Sequence, residues 1–210
     1  MFLLDVFAAA ADGRLPPPDG QVEVRPGVPG KAAAVVAFPA HFYVLAPVDP
    51  GWVLERLPPG DLSAPLGARF LVALADRIGA HIGANDAVLA AFAHGRGACV
   101  DLREITDDHH PRIRRAHRYR DDVRAWRTKD GMGHVVLGRG LAGRWEVSYE
   151  VAPDARGRGL GRALAAAALG LLPAGTPVFA QVSPGNSLSL RATLGAGYRP
   201  IGGEVLLPSR

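Results

Sequence analysis

The sequence predicts a mixed α/β fold, and three observations in its second half carry that prediction. Val123–Thr128, His134–Leu137 and Trp145–Val151 read as strands separated by the turns Lys129-Asp130-Gly131 and Gly138-Arg139-Gly140, which makes a β-meander. Leu160–Leu172 is an alanine- and leucine-rich run that reads as a helix. After it come a short apolar strand (Val178–Val182), a second helix (Asn186–Leu194) and a last strand (Ile201–Leu207), so helices alternate with strands of a mixed sheet.

The first half is broken more often. Leu3–Ala11 reads as a short helix, and Gly13–Gly30, with Pro16-Pro17-Pro18, Pro26 and Pro29, as a linker or irregular loop. Ala32–Ala46 is apolar and β-rich, but Pro39 inside it suits two short strands or an edge strand. Leu66, Phe70, Leu71, Leu74 and Ile78 recur at helical spacing after Pro65, and Gly79 ends the pattern. A short helix is expected over Asp86–Phe92. The organisation expected is an N-terminal α/β extension or cap, residues 1–100, packed on a core of residues 101–210.

The class of protein follows from composition. A chain of 210 residues and 22.1 kDa suits one domain with an extension. With 48% hydrophobic and 21% charged residues it has the apolar material to fold as a globule. The single cysteine, Cys99, excludes a disulfide framework and a cysteine-rich metal site. Met1–Ala11 lacks a basic region and contains Asp5, so it reads as neither signal peptide nor membrane span, and a soluble cytoplasmic protein is expected. The net charge of +4 rests almost wholly on arginine, Lys31 and Lys129 being the only lysines. Such a balance is compatible with an anionic ligand and equally with generic solubility, and does not choose between them.

Chemistry concentrates between Tyr149 and Leu164 (YEVAPDARGRGLGRAL), where a strand ends in a glycine-rich turn that opens into a helix. Glycines let a ligand approach the backbone, and the first helical turn offers free N–H groups and the positive end of the helix dipole. Arg156, Arg158 and Arg162 add charge suited to a pyrophosphate. A P-loop is excluded because no Gly-Lys-Ser/Thr follows. A dinucleotide fingerprint is excluded because Arg162 or Leu164 stands where its third glycine belongs, and no acidic residue closes the strand near Val182.

What remains is Arg-x-x-Gly-x-Gly from Arg156 to Gly161, preceded by Val151-x-Pro153 and followed by an apolar helix. This resembles the acyl-CoA pyrophosphate loop of the GNAT superfamily of N-acetyltransferases. A second segment is similar as well: Asn186, Ser189 three residues on, and Gly197-Tyr198 after that, at the spacing of the family's Asn-x-x-Ala and Gly-Phe positions. The resemblance covers about residues 112–207.

It implies a GNAT-like central mixed sheet whose strands Trp145–Val151 and Val178–Val182 splay to admit pantetheine. By the same correspondence Val151, Arg156, Gly157, Arg158, Gly159, Leu160, Gly161 and Arg162 hold acetyl-CoA or another short acyl-CoA, while Asn186 faces the pantetheine or thiol end. Ser189 takes the small-residue position, and Arg158 and Arg191 are candidates for the adenine 3′-phosphate. The implied activity is transfer of an acetyl group to a primary amine by direct attack in a ternary complex. A small-molecule acceptor is preferred over a protein, and neither a membrane nor a metal is implied. A homodimer is left open. The alternative is an acyl-CoA-binding or sensing protein of little or no activity.

Attack by an amine needs a base, oxyanion donors and an acid for the thiolate. Alternation along Trp145–Val151 puts Glu146, Ser148 and Glu150 on one face, which makes Glu146 and Glu150 the candidate bases, with Glu146 preferred from the resemblance. A backbone N–H near Ala152 would polarise the thioester carbonyl. Where the family carries its acidic tyrosine, seven residues after the asparagine, this chain has Thr193, and Tyr198 is expected in the core.

Other residues read blandly. Asp107, Asp108, His109 and His110 are too close in sequence to converge on one metal ion. His41 and His134 read as structural, Cys99 as a buried thiol, and Trp52, Trp126 and Trp145 as core or pocket walls. The arginine-rich stretch through Arg127 (residues 111–127) reads as a solvated helix leading into an amphipathic strand before it reads as a nucleic-acid contact.

Overall fold

The structure is a computed structural model and describes residues 2–27, 31–106 and 109–210. In chain order its elements are α1 (Phe2–Ala11), β1 (Val22–Arg25), β2 (Ala33–Phe38), β3 (His41–Leu45), α2 (Pro50–Leu54), α3 (Ala68–Ile78), β4 (Asn85–Phe92), β5 (Leu102–Ile105), α4 (Pro111–Tyr119), β6 (Asp121–Thr128), β7 (Gly133–Arg139), β8 (Trp145–Val151), α5 (Leu160–Gly170), β9 (Pro177–Val182), α6 (Ser187–Gly195) and β10 (Arg199–Leu207). The fold is mixed α/β, as expected.

Two compact units divide the chain, the first made of Met1–Asp12 and Val88–Pro200, the second of Gly13–Ala87 and Ile201–Arg210. This differs from a cut near residue 100, because the first helix and the end of β4 fold with the C-terminal half while the last ten residues fold with the N-terminal one.

In the first unit the strands run in the order β4-β9-β8-β7-β6-β5. β5 to β8 are successively antiparallel, and β8 pairs with β9 in parallel. Local chemistry sets the meander: Thr128 Oγ1 donates to Asp130 Oδ1 at 2.6 Å and accepts from the Gly133 N–H at 2.9 Å, closing the β6–β7 turn. Helix α5 lies against β7 so closely that a Cβ on Gly133 would come within 2.9 Å of Leu164. Its Leu164, Ala165, Ala167 and Ala168 are buried, the small side chains allowing that approach. On another face of the unit, Phe7 of α1 meets Phe179 of β9 edge-on at 5.5 Å between centroids.

The second unit orders its strands β1-β3-β2-β10, with β1 parallel to β3 and the other neighbours antiparallel. Val35, Val44, Val53, Phe70, Leu71, Leu74, Val205 and Leu207 form its core. Helix α3 stops where expected, at Gly79 with φ +65°, where the Ala80 N–H returns to the Ala75 carbonyl.

Two expectations are corrected. Asp86–Phe92 lies in strand β4, not a helix; Val88, Leu89 and Ala90 are all buried, so the strand lacks the alternation of a half-buried one and its alanines imitate helix propensity. Within the loop expected over residues 13–30, Val22–Arg25 forms β1, while Pro29 and Gly30 lie outside the described residues. Helix α2 is set by its N-cap Asp49, which accepts from the Trp52 N–H.

Candidate functional site

β8 and β9 pair at three successive rungs: Trp145↔Val178, Glu146↔Phe179 and Val147↔Ala180. β8 then continues beside β7 to Val151↔Gly133, and β9 runs on to Val182, with no further rung between β8 and β9 among the described residues. The two parallel strands therefore part toward their C-terminal ends. The Ala152 N–H donates to the Met132 carbonyl at 2.8 Å, which sets the phase of the β7–β8 ladder. By its alternation the backbone groups of Ser148 and Glu150 face β7, while those of Tyr149 and Val151 face the opening. The N–H of Ala152 itself is thus engaged, and the open N–H groups near it are those of Val151 and Tyr149, one and three residues earlier.

At the mouth of the opening a 3-10 turn, Pro153–Ala155, leads into Arg156–Gly159 and α5. Gly157 and Gly159 have φ of +77° and +84°, a region that costs other residues about 1–2 kcal/mol. Among the described residues no atom beyond the chain neighbours lies within 4 Å of a Cβ built on either, so the loop faces open space. Gly159 caps α5 without any side-chain hydrogen bond, leaving the first-turn N–H groups, Leu160 among them, as donors for an anion. Arg156 is exposed and its Nε reaches the Val151 carbonyl at 3.2 Å. Arg158 and Arg162 are exposed too, the stem of Arg162 lying over Gly195. Gly161 differs from its neighbours, since a Cβ there would meet Tyr149 and Ala192 at 3.6 Å, an ordinary packing distance. It belongs to the seam between α5, α6 and β8.

On the α5–α6 side of β8, the Tyr149 hydroxyl bonds to the Ser189 carbonyl at 3.0 Å and to Thr193 Oγ1 at 2.8 Å. Burial pushes its phenol up from the ordinary value, against those two hydrogen bonds. A tyrosine hydroxyl thus does stand at Thr193, brought by the strand. Asn186 caps α6, its Oδ1 accepting from the Ser189 N–H at 3.1 Å, so its amide nitrogen remains as a donor. Arg191 is exposed on the same helix, and Tyr198 is buried with its hydroxyl on the Ala165 carbonyl, as expected for a core residue.

The opposite face of β8 carries Glu146, Ser148 and Glu150. Glu146 is buried, with Oε2 accepting from Arg120 Nε at 3.0 Å and Oε1 from Arg144 Nε at 2.9 Å and the Leu141 N–H at 3.2 Å. Burial works to raise its pKa, but the two arginines outweigh it and hold the carboxyl below the usual range. Both oxygens are committed, which corrects the preference for Glu146 as base. Glu150 is half-exposed, accepts from Arg112 Nε at 2.8 Å, and is held below the usual range chiefly by that bond. It stands opposite His134 in the ladder, and His134 stacks on His110 at 4.1 Å. Only the alternation of β8 pointed to this cluster; the pairing across β7 and the reach of α4 have no local signal in sequence.

Remaining candidates fall elsewhere. Cys99 is exposed, not buried, and its Sγ lies 3.4 Å from the Ala163 carbonyl. His41 is buried between Asp19 and Glu23, at 2.9 and 3.2 Å. Asp107 and Asp108 lie outside the described residues, and His110 Nδ1 caps α4 by accepting from the Arg112 N–H. Arg112, Arg120 and Arg124 of the basic stretch pair with Glu150, Glu146 and Glu104. No helix among the described residues is long and apolar enough to cross a membrane.

No family model matches the sequence, and no curated protein matches it. Solved structures similar to the chain include a GCN5-related N-acetyltransferase from Kribbella flavida (18% identity, TM-score 0.41) and a GNAT-family acetyltransferase from Colwellia psychrerythraea (12%, 0.39). Each match covers 66% of this chain, which spans 63% and 61% of those two chains. A GCN5-related N-acetyltransferase from Sphaerobacter thermophilus is similar over 67% of this chain and 56% of its own (15%, TM-score 0.39).

Proposed function

We propose that this chain binds an acyl-CoA, acetyl-CoA by preference, in the opening between β8 and β9 and transfers its acyl group to a primary amine. The observation that carries the reading is the end of the β8–β9 ladder at Val147↔Ala180, beside a glycine-initiated, uncapped helix. Parted parallel strands offer unpaired backbone groups to a molecule with amides of its own, and the helix N-terminus offers N–H groups to its phosphates.

In this reading the N–H groups of Leu160 and Gly161, with Arg156, Arg158 and Arg162, hold the pyrophosphate. Tyr149 and Val151 supply backbone N–H and C=O groups to the pantetheine amides, and Asn186 and Ser189 border its thiol end from α6. Bound coenzyme supplies an activated thioester. Glu150 takes one proton from the acceptor's ammonium, directly or through water, from the face it shares with Ser148, and so frees the amine to attack. Tyr149, whose phenol stays protonated at neutral pH, returns a proton to the departing thiolate. A silent acyl-CoA-binding protein is the second reading, favoured by the commitment of both carboxylates to arginines.

A panel of amines incubated with acetyl-CoA and the full chain, read by thiol release, separates the two. Sustained release with one amine, lowered at least tenfold by Glu150→Gln, supports transfer. Saturable coenzyme binding without release across the panel supports the silent binder.

A further inference from the structure

Attack on a thioester builds negative charge on its carbonyl oxygen, and catalysis needs donors aimed at that oxygen. The N–H of Ala152 is spent on Met132 and the open N–H groups of Val151 and Tyr149 serve the pantetheine amides in the reading above, so a donor for the thioester oxygen is sought deeper in the opening. Just past the last β8–β9 rung, the register carries Ser148 opposite Gln181. Gln181 follows Phe179 by two residues, and Ser148 follows Glu146 by two, so both side chains stand on the face that carries Glu150. Nε2 of Gln181 is buried and has no hydrogen-bond partner among the described residues. A buried amide donor without a partner is costly and rare enough to call for an explanation. The Ser148 hydroxyl accepts from Arg120 Nη1 at 3.2 Å, which leaves its own proton to donate beside that amide.

We infer that Gln181 Nε2 is the donor for the thioester carbonyl oxygen, an inference that rests on the acyl-CoA reading above. If pyrophosphate is held at Gly159 and the arm runs inward past Val151 and Tyr149, the group that reaches the closed end of the opening is the acyl thioester, whose one strong acceptor is its carbonyl. In the transfer step the amine nitrogen bonds to the carbonyl carbon, the carbonyl electron pair moves onto the oxygen that Gln181 meets, and its return expels the thiolate. Glu150 first takes one proton from the ammonium and passes it to solvent, which frees the nitrogen pair for attack; Tyr149 protonates the departing thiolate, and the second nitrogen proton, released from the tetrahedral adduct, restores the Tyr149 phenol through water.

The test compares acetyl-CoA with S-ethyl-CoA, a thioether without the carbonyl, by calorimetric titration of the full chain and of Gln181→Leu and Gln181→Glu. One hydrogen bond predicts that the wild-type protein prefers acetyl-CoA by about three- to tenfold, that both variants lose this preference, and that their affinity for S-ethyl-CoA is unchanged. Retained S-ethyl-CoA binding also reports an intact fold. With carbonyl-labelled [13C]acetyl-CoA, the infrared stretch of the bound thioester should lie lower in the wild-type protein than in Gln181→Leu. A preference and a stretch that survive Gln181→Leu overturn the assignment while leaving the coenzyme reading standing. Failure of the wild-type protein to bind either compound overturns both.

Discussion

Arg144 Nε lies 2.9 Å from Glu146 Oε1 in the interior of the first unit, its side chain fully buried beneath Phe7 and Phe179. With Arg120 on the other oxygen, the carboxylate ties the start of β8 to the turn before it and to the end of α4. Glu146→Gln would leave two buried guanidinium groups facing a neutral amide, and a loss of about 3–5 kcal/mol in stability is expected for breaking a buried pair. Denaturant unfolding monitored by circular dichroism checks it.

The same carboxylate makes stability sensitive to acid. Its pKa is lowered in the folded protein from an ordinary 4.5, so its contribution is present above that value and is lost as pH falls through the lower, folded one. Unfolding midpoints should fall on acidification below about pH 4.5 and fall less steeply in Glu146→Gln. Parallel slopes in the two proteins would contradict this.

Glu150 behaves differently because it is half-exposed. Arg112→Ala should cost less than about 1 kcal/mol of stability, as exposed pairs do. It should also let the Glu150 carboxyl rise toward its ordinary value, since the Arg112 hydrogen bond is the main cause of its depression. Side-chain carboxyl NMR titration reads the shift directly, and an unmoved Glu150 would show that His110 and His134 set its acidity instead.

Loop glycines should separate by conformation. Gly157→Ala should destabilise by about 1–2 kcal/mol because φ is +77°. Gly161→Ala, inside the first turn of α5 with its nearest neighbours at 3.6 Å, should be neutral or stabilising by up to about 1 kcal/mol. Thermal melts of the two variants decide the matter.

Much of the first unit was legible from local patterns. Trp145–Val151 alternates, Leu160–Gly170 has no competing preference, and Asn186 announces the start of α6 by its capping chemistry. Asp86–Phe92 was not legible, because a strand buried on both sides presents alanines and valines without a period. The loop Arg156–Gly161 could be read because positive φ values need glycine. The role of Glu146 is not legible, because alternation shows which face a side chain takes but not what covers that face. The partners Arg120 and Arg144 come from α4's end and a turn, and only the folded pairing brings both to one carboxylate. The phenol at Thr193 was hidden for the same reason: Tyr149 is 44 residues away in sequence.

Tyr149→Phe removes the hydroxyl shared by Ser189 and Thr193. We expect a stability loss of about 1 kcal/mol, as for a typical hydrogen bond. Thiol release should fall at least about tenfold, within the range for a lost general acid, with coenzyme affinity unchanged. Equal turnover in the two proteins would remove Tyr149 from the chemistry.

In the proposed function a coenzyme A thioester occupies the opening between β8 and β9 beside the loop Arg156–Gly161, and calorimetric titration of the full chain with CoA is the decisive experiment. Saturable binding at one site per chain is expected, with at least a tenfold loss in Gly159→Glu, whose carboxylate would sit where the phosphates belong. Absence of binding to the wild-type protein, or equal affinity in Gly159→Glu, would contradict it.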